Sequence, residues 1–166
     1  MFDRLVIGVD PGMAATGLAA VAWSRRGRSV VLSSTTVRTP AGTDEGSRLH
    51  TLYRAVRRAL ADNHPDTVAV ERLMWGRNVG SAMSVARAIG VILLAAAEAG
   101  IIVREYAPLD VKMAITGNGA AGKEEVRLAL RRLHQVTDVP REPDAADAVA
   151  VAVCDLHRTG IREAVR

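Results

Sequence analysis

Cysteine is almost missing from this chain: Cys154 is the single one in 166 residues. One thiol excludes an internal disulfide and fits a reducing, cytoplasmic compartment. Cys154 lies in an apolar run, where a thiol serves as a small buried side chain. No run of about 18 uncharged apolar residues occurs, so no membrane span is expected. The opening M-F-D-R-L-V-I-G-V-D lacks a basic segment followed by a long apolar one, which argues against a secretory signal. Aromatics are few, and lysine is fewer still: Lys112 and Lys123 stand against 20 arginines. That skew reads as a chain-wide coding bias, and it singles out the two places that kept lysine. There is no His-Glu-x-x-His, no Cys pair and no Walker loop. His50, His64, His134 and His157 stand in polar contexts and read as solvated side chains.

Apolar residues make up 49% of the chain, and the length suits one domain, residues 1–166, with a full core. A net charge of +4 hints at an acidic or nucleic-acid partner. Apolar, β-branched runs at Arg4–Asp10, Gly17–Trp23 and Val30–Val37 predict an antiparallel meander of three strands. Leu49, Leu52, Tyr53, Val56 and Leu60 recur at helical spacing between Asp44 and Asn63, with Arg48, Arg54, Arg57 and Arg58 on the wet face. Thr67–Glu71 is a fourth strand, Ser81–Gly100 a long helix and Ile101–Tyr106 a fifth strand. A short helix at Asp110–Ile115 and a flexible loop at Gly117–Gly122 follow, and then a helix over Lys123–His134. The last segment, Pro143 to about Arg158, alternates Ala and Val and could be a strand. Its length, its alanine content and the leading proline favour a helix.

That last segment contains E-P-D-A-A-D-A-V-A-V-A-V, an apolar stretch carrying Asp144 and Asp147. Carboxylates are rarely buried without a partner. In a helix these two share a face, and the alanines around them let other elements come close. Two further acids end strands: Asp10 in I-G-V-D-P-G and Glu71 in V-A-V-E-R. If those strands are neighbours and the last helix crosses them, four carboxylates converge. Like charges that close need a cation, and oxygen-only donors favour Mg²⁺ or Mn²⁺. Taken singly, each acid is also a plausible turn or helix cap.

The motifs V-I-G-V-D-P-G-M-A-A-T-G, V-A-V-E-R, V-K-M-A-I-T-G-N-G-A-A-G-K and D-A-A-D-A-V-A-V-A, in this order and spacing, resemble the RuvC-type Holliday junction resolvases over about residues 4–158. The resemblance implies an α/β, ribonuclease-H-like fold, with a five-stranded mixed sheet flanked by helices. It implies a crossover junction endodeoxyribonuclease of homologous recombination and DNA repair. Such an enzyme works as a homodimer that makes paired symmetric nicks in a four-way DNA junction and leaves 5′-phosphates. It further implies two Mg²⁺ per active site, with Mn²⁺ as a substitute, on Asp10, Glu71, Asp144 and Asp147, and basic residues of the active face at Lys112 and Lys123. A branch-migration motor complex of the RuvA and RuvB type is implied as a partner. Some members carry His at the position of Asp144. The family commonly has an aromatic three residues after the catalytic Glu, where this chain has Met74, with Trp75 one position later.

The loop after Glu71, R-L-M-W-G-R-N, supplies candidate DNA contacts. Arg72 and Arg77 suit phosphates, Trp75 or Met74 an unpaired base, and Asn78 stands beside them. Lys123, after the glycine-rich loop, is expected to act on the scissile phosphate, and Lys112 to position DNA. The long helix Ser81–Gly100 is apolar over most of its circumference and could serve a dimer partner as well as the core. With the four site acids set aside, 14 acids face 22 bases, which suits a polyanionic substrate. The rival readings are an actin-like ATPase or sugar kinase, a nuclease of ribosomal RNA precursors, and a DNA-binding protein without catalysis.

Overall fold

The computed structural model describes residues 2–25, 27–73 and 79–164. Three strands open the chain: β1 (Phe2–Asp10), β2 (Ala15–Ser24) and β3 (Ser29–Arg38). After α1 (Glu45–Asn63), β4 (Thr67–Glu71) and α2 (Val79–Glu98) come β5 (Ile102–Tyr106), α3 (Pro108–Thr116), α4 (Lys123–Arg132) and α5 (Pro143–Ala164). The strands form one sheet in the order β3-β2-β1-β4-β5. β1–β2 and β2–β3 pair antiparallel, whereas β1–β4 and β4–β5 pair parallel. This is the expected mixed sheet. The sequence placed every element, and the boundaries moved by a few residues at most, except that α5 runs on to Ala164.

Alternation along the strands sorts the core into two layers. Ile7, Val9, Val68 and Val70 face α1 and α2, joining Leu52, Val56, Leu60, Ala88 and Ile92. Val6, Ala69 and Tyr106 face the other way, onto α3, α4 and α5. Central strands covered on both faces are apolar at every position, which is why they read as continuous runs.

α5 settles as a helix. Nearly every residue from Ala145 to Leu156 is buried. One side of α5 packs on β1 and β2 while α3 and α4 cover another, so no polar stripe is left in the pattern. Close approach depends on two glycines. A Cβ on Gly8 would overlap the carbonyl oxygen of Ala148, and one on Gly17 would overlap that of Asp144. The glycine of the T-G motif is therefore what lets the start of α5 lie against β2. Each fully buried valine of α5 contributes about 1.5–3 kcal/mol relative to exposure.

One expectation is qualified and three need correction. First, Gly80–Glu98 is, by length and composition alone, apolar enough to cross a membrane. It carries Arg87 and Glu98, and it buries Ala88, Ile92, Ala95 and Ala96 in the core with α1 and the sheet. Second, the Gly117–Gly122 loop is hydrogen-bonded rather than slack. Asn118 Oδ1 accepts from Ala120 N (3.0 Å), Thr116 Oγ1 from Asn118 N (3.0 Å), and Ala121 is fully buried. Third, His134 and His157 are not solvated. Their Nδ1 and Nε2 lie 3.1 Å apart, His134 Nε2 lies 2.8 Å from the Ile115 carbonyl oxygen, and burial lowers the His157 pKa. Fourth, Arg48 is half-buried and hydrogen-bonded instead of lying free on the wet face of α1. Cys154 is buried as expected, and burial pushes its thiol up to about 12.

Candidate active site

Val9 pairs with Val70 in the parallel β1–β4 ladder. The next residues along, Asp10 and Glu71, therefore leave the sheet side by side. Strand alternation points both toward the α5 layer, where Gly8 and Ala69 already lie against it. α5 brings Asp147 to them, α3 brings Lys112 and α4 brings Lys123. These five line one cleft of about 260 Å³. Asp144, one turn before Asp147, stands beside the cleft, close enough for its charge to act on Asp10.

The electrostatics follow from that crowding. Burial, and then the charges of Glu71, Asp147 and Asp144, raise the Asp10 pKa from 3.8 to about 7. Glu71 is raised for the same reasons, burial first and Asp147 next, while Lys123 and Lys112 oppose the shift. Lys123 Nζ donates to Asp147 Oδ2 at 2.6 Å, which holds the ammonium above its usual range. Among the described residues, no three His, Cys, Asp or Glu side chains are drawn together closely enough to grip an ion as they stand. What fits a hard divalent cation is the chemistry of the donors: carboxylate oxygens only, half-buried and mutually repelling.

The chain thus gathers the four expected acids and both expected lysines at the C-terminal edge of β1 and β4. Arg72 follows Glu71 directly and is exposed. It lines a second, more polar cleft of about 430 Å³ with Arg104, Tyr106 and Arg158. Met74, Trp75, Arg77 and Asn78 lie outside the described residues.

A family model for "Crossover junction endodeoxyribonuclease RuvC" matches residues 6–155, which include all four acids and both lysines. This chain belongs to the RuvC family. A RuvC from Syntrophomonas wolfei is 44% identical over 152 residues, covering 92% of this chain and 88% of the relative. One from Moorella thermoacetica is 45% identical over 150 residues, covering 90% and 89%. The structure of T. thermophilus RuvC in complex with a Holliday junction substrate matches with a TM-score of 0.88 and 34% identity, over 95% of this chain and 96% of that one. The fold is therefore ribonuclease-H-like, as the motifs implied.

One buried acid escaped the sequence reading. Asp155 is fully buried and accepts hydrogen bonds from Tyr106 Oη (2.6 Å), Thr67 Oγ1 (3.1 Å) and Arg104 (3.3 Å). It ties α5 to β4 and β5. The only signal was an acid inside V-A-V-C-D-L, and nothing in the spacing separated it from a solvated residue.

Proposed function

We propose that this chain resolves four-way (Holliday) DNA junctions, cutting two opposed strands by metal-dependent phosphodiester hydrolysis in recombination and repair. The observation that carries the reading is Asp10. It is a strand-end carboxylate crowded by three other acids and faced by two lysines, within a RuvC-family chain. Asp10, Glu71, Asp144 and Asp147 would hold Mg²⁺, or Mn²⁺ in its place, with donors enough for two ions. Bound there, the cation supplies the hydrolytic chemistry, lowering the pKa of water and neutralising charge on the leaving oxygen.

The chain's own residues do the rest. Lys123 and Lys112 line the cleft as positive charges and attract the phosphodiester backbone to it. The Lys123 ammonium, already hydrogen-bonded to Asp147, is placed to steady charge that develops on the scissile phosphate. Arg72, and Trp75 or Met74 beyond it, would engage the junction where its strands part. An actin-like ATPase or sugar kinase reading is disfavoured by the RuvC family match over residues 6–155.

Two opposed cuts of like polarity call for two identical sites related by a two-fold axis. The outer face of α2 exposes Met83, Leu93 and Leu94 and suits a second copy of the chain. A motor of the RuvA and RuvB type would deliver the junction. The deciding experiment incubates the protein with a synthetic four-way junction or a matched linear duplex in Mg²⁺. Paired symmetric nicks with 5′-phosphate ends, in the junction alone, are expected; equal cutting of both substrates would overturn the reading. Sedimentation at micromolar concentration is expected to show a dimer.

A further inference from the structure

Asp10 is the last residue of β1, and among the described residues no donor holds its carboxylate. Its position is therefore set by its backbone. On one side that backbone is fixed by the β1–β2 ladder, where Asp10 pairs with Gly17. On the other side it runs straight into the turn Pro11–Ala14. Two clamps act on that turn. The inner one is Thr16, 1% exposed, whose hydroxyl donates to the Gly12 carbonyl at 2.6 Å and accepts from Gly12 N at 3.4 Å.

The outer clamp reaches in from another part of the fold. Thr39, the residue after β3, donates its backbone N–H to the Ala14 carbonyl at 3.0 Å and its hydroxyl to the Met13 carbonyl. The same hydroxyl accepts from Arg48 Nε at 3.0 Å, and Arg48 Nη2 approaches the Thr39 carbonyl at 3.5 Å. A hydroxyl that accepts from a guanidinium is a stronger donor toward the carbonyl beyond it. Arg48 itself comes from the start of α1, which is anchored by the Asp44 cap on Ser47 and by Glu45 paired to Arg87 of α2. The line Arg48–Thr39–Met13 thus connects a rigid helix pair to the turn that begins at Asp10.

We infer that Arg48, acting through the Thr39 hydroxyl, is a positioning residue that fixes the Asp10 turn for cleavage. The inference rests on Asp10 belonging to the active site. Neither Arg48 nor Thr39 lines the cleft, so their loss leaves the groups that line it in place, and Thr39→Val changes no charge.

The test compares Thr39→Val, which removes the hydroxyl at nearly constant volume, with Thr39→Ser, which keeps it. Three quantities are read: single-turnover cleavage of a four-way junction, junction affinity in EDTA, and hydrogen exchange of the backbone amides of residues 12–17. Misplacement of a reacting group by about 1 Å can lower a rate by up to about 100-fold. Thr39→Val is expected to cut at least about tenfold more slowly, with affinity within about twofold of wild type. Its turn amides should exchange faster, and Thr39→Ser should restore both. Arg48→Met, which keeps the stem and loses the guanidinium, should reproduce the valine phenotype, and it alone decides if Thr39→Val does not fold. Wild-type rates and exchange in both Thr39→Val and Arg48→Met would overturn the inference, as would a serine variant as slow as the valine one. If the wild-type protein cuts no junction, the function reading fails on its own. The exchange arm then decides whether Arg48 and Thr39 hold the turn.

Discussion

Replacing Asp10 by Asn should abolish cleavage and at the same time stabilise the metal-free protein. Ionised Asp10 is held where it is unfavourable, since burial and three neighbouring acids raise its pKa from 3.8 to about 7. Each tenfold displacement of a protonation equilibrium is ~1.4 kcal/mol, so the ionised form carries a penalty of at most roughly 4 kcal/mol. The cleft is open on one side and an amide is also poorly solvated there, so a gain of about 1–3 kcal/mol is expected for Asp10→Asn at pH 8. The sign follows from linkage. Below the unfolded pKa of 3.8, Asp10 is protonated in both states and the penalty is absent. As pH rises from 3.8 to about 7, the unfolded chain ionises first and the wild type loses stability relative to the variant. Above about 7 the full difference is present. Urea denaturation in EDTA at pH 5 and pH 8, with both proteins, measures it. Adding Mg²⁺ at pH 8 should then stabilise the wild type more than the variant, because a ligand that binds only the folded state raises stability by mass action. A variant no more stable than wild type at pH 8, or an advantage that does not grow with pH, would refute the electrostatic argument.

Lys123→Arg should keep most junction affinity, measured by gel shift, and lose at least about tenfold in single-turnover rate. The wide planar fork would pair with Asp147 in a different, bidentate geometry and carry the charge away from where the compact ammonium holds it. Gly17→Ala should destabilise by about 1–3 kcal/mol in urea and slow cleavage, since its Cβ would push the Asp144 carbonyl, and the start of α5, away from β2. Asp155→Ala should lower stability by about 3–5 kcal/mol, because Arg104 and the buried Tyr106 hydroxyl lose their shared acceptor. Asp155→Asn should lose less.

The sheet was legible because its physics is local. β1, β4 and β5 are short runs between turn residues, and the meander is marked by its polar turns. The four acids were legible for a different reason: each breaks an apolar run at its edge, where a carboxylate has to be explained. Their convergence was conditional on two packing facts, the β1–β4 pairing and the crossing of α5, and both hold. The role of Gly17 was not visible in this way. It stands in a strand among other small residues, and only the Asp144 carbonyl lying against it shows why a side chain is excluded.

Asp155 and the His134–His157 contact mark the limit of spacing arguments. Asp155 follows Asp144 by eleven residues, and about three helical turns return it to nearly the same face of α5. Spacing alone does not say whether it meets the cleft, solvent or the core. In the structure Asp155 lies further along the sheet, opposite Thr67 at the start of β4, whereas Asp147 lies opposite Glu71 at its end. A helix crossing parallel strands converts distance along the sequence into distance from the C-terminal edge. Asp144 and Asp147, at the start of α5, stand among other acids, whereas Asp155, near its middle, meets Arg104 and Tyr106 and is satisfied by protein donors. The division between the proposed catalytic acids and structural pairing on α5 is thus a matter of depth along the β-strands. It becomes readable only once the crossing point, fixed by Gly8 and Gly17, is known.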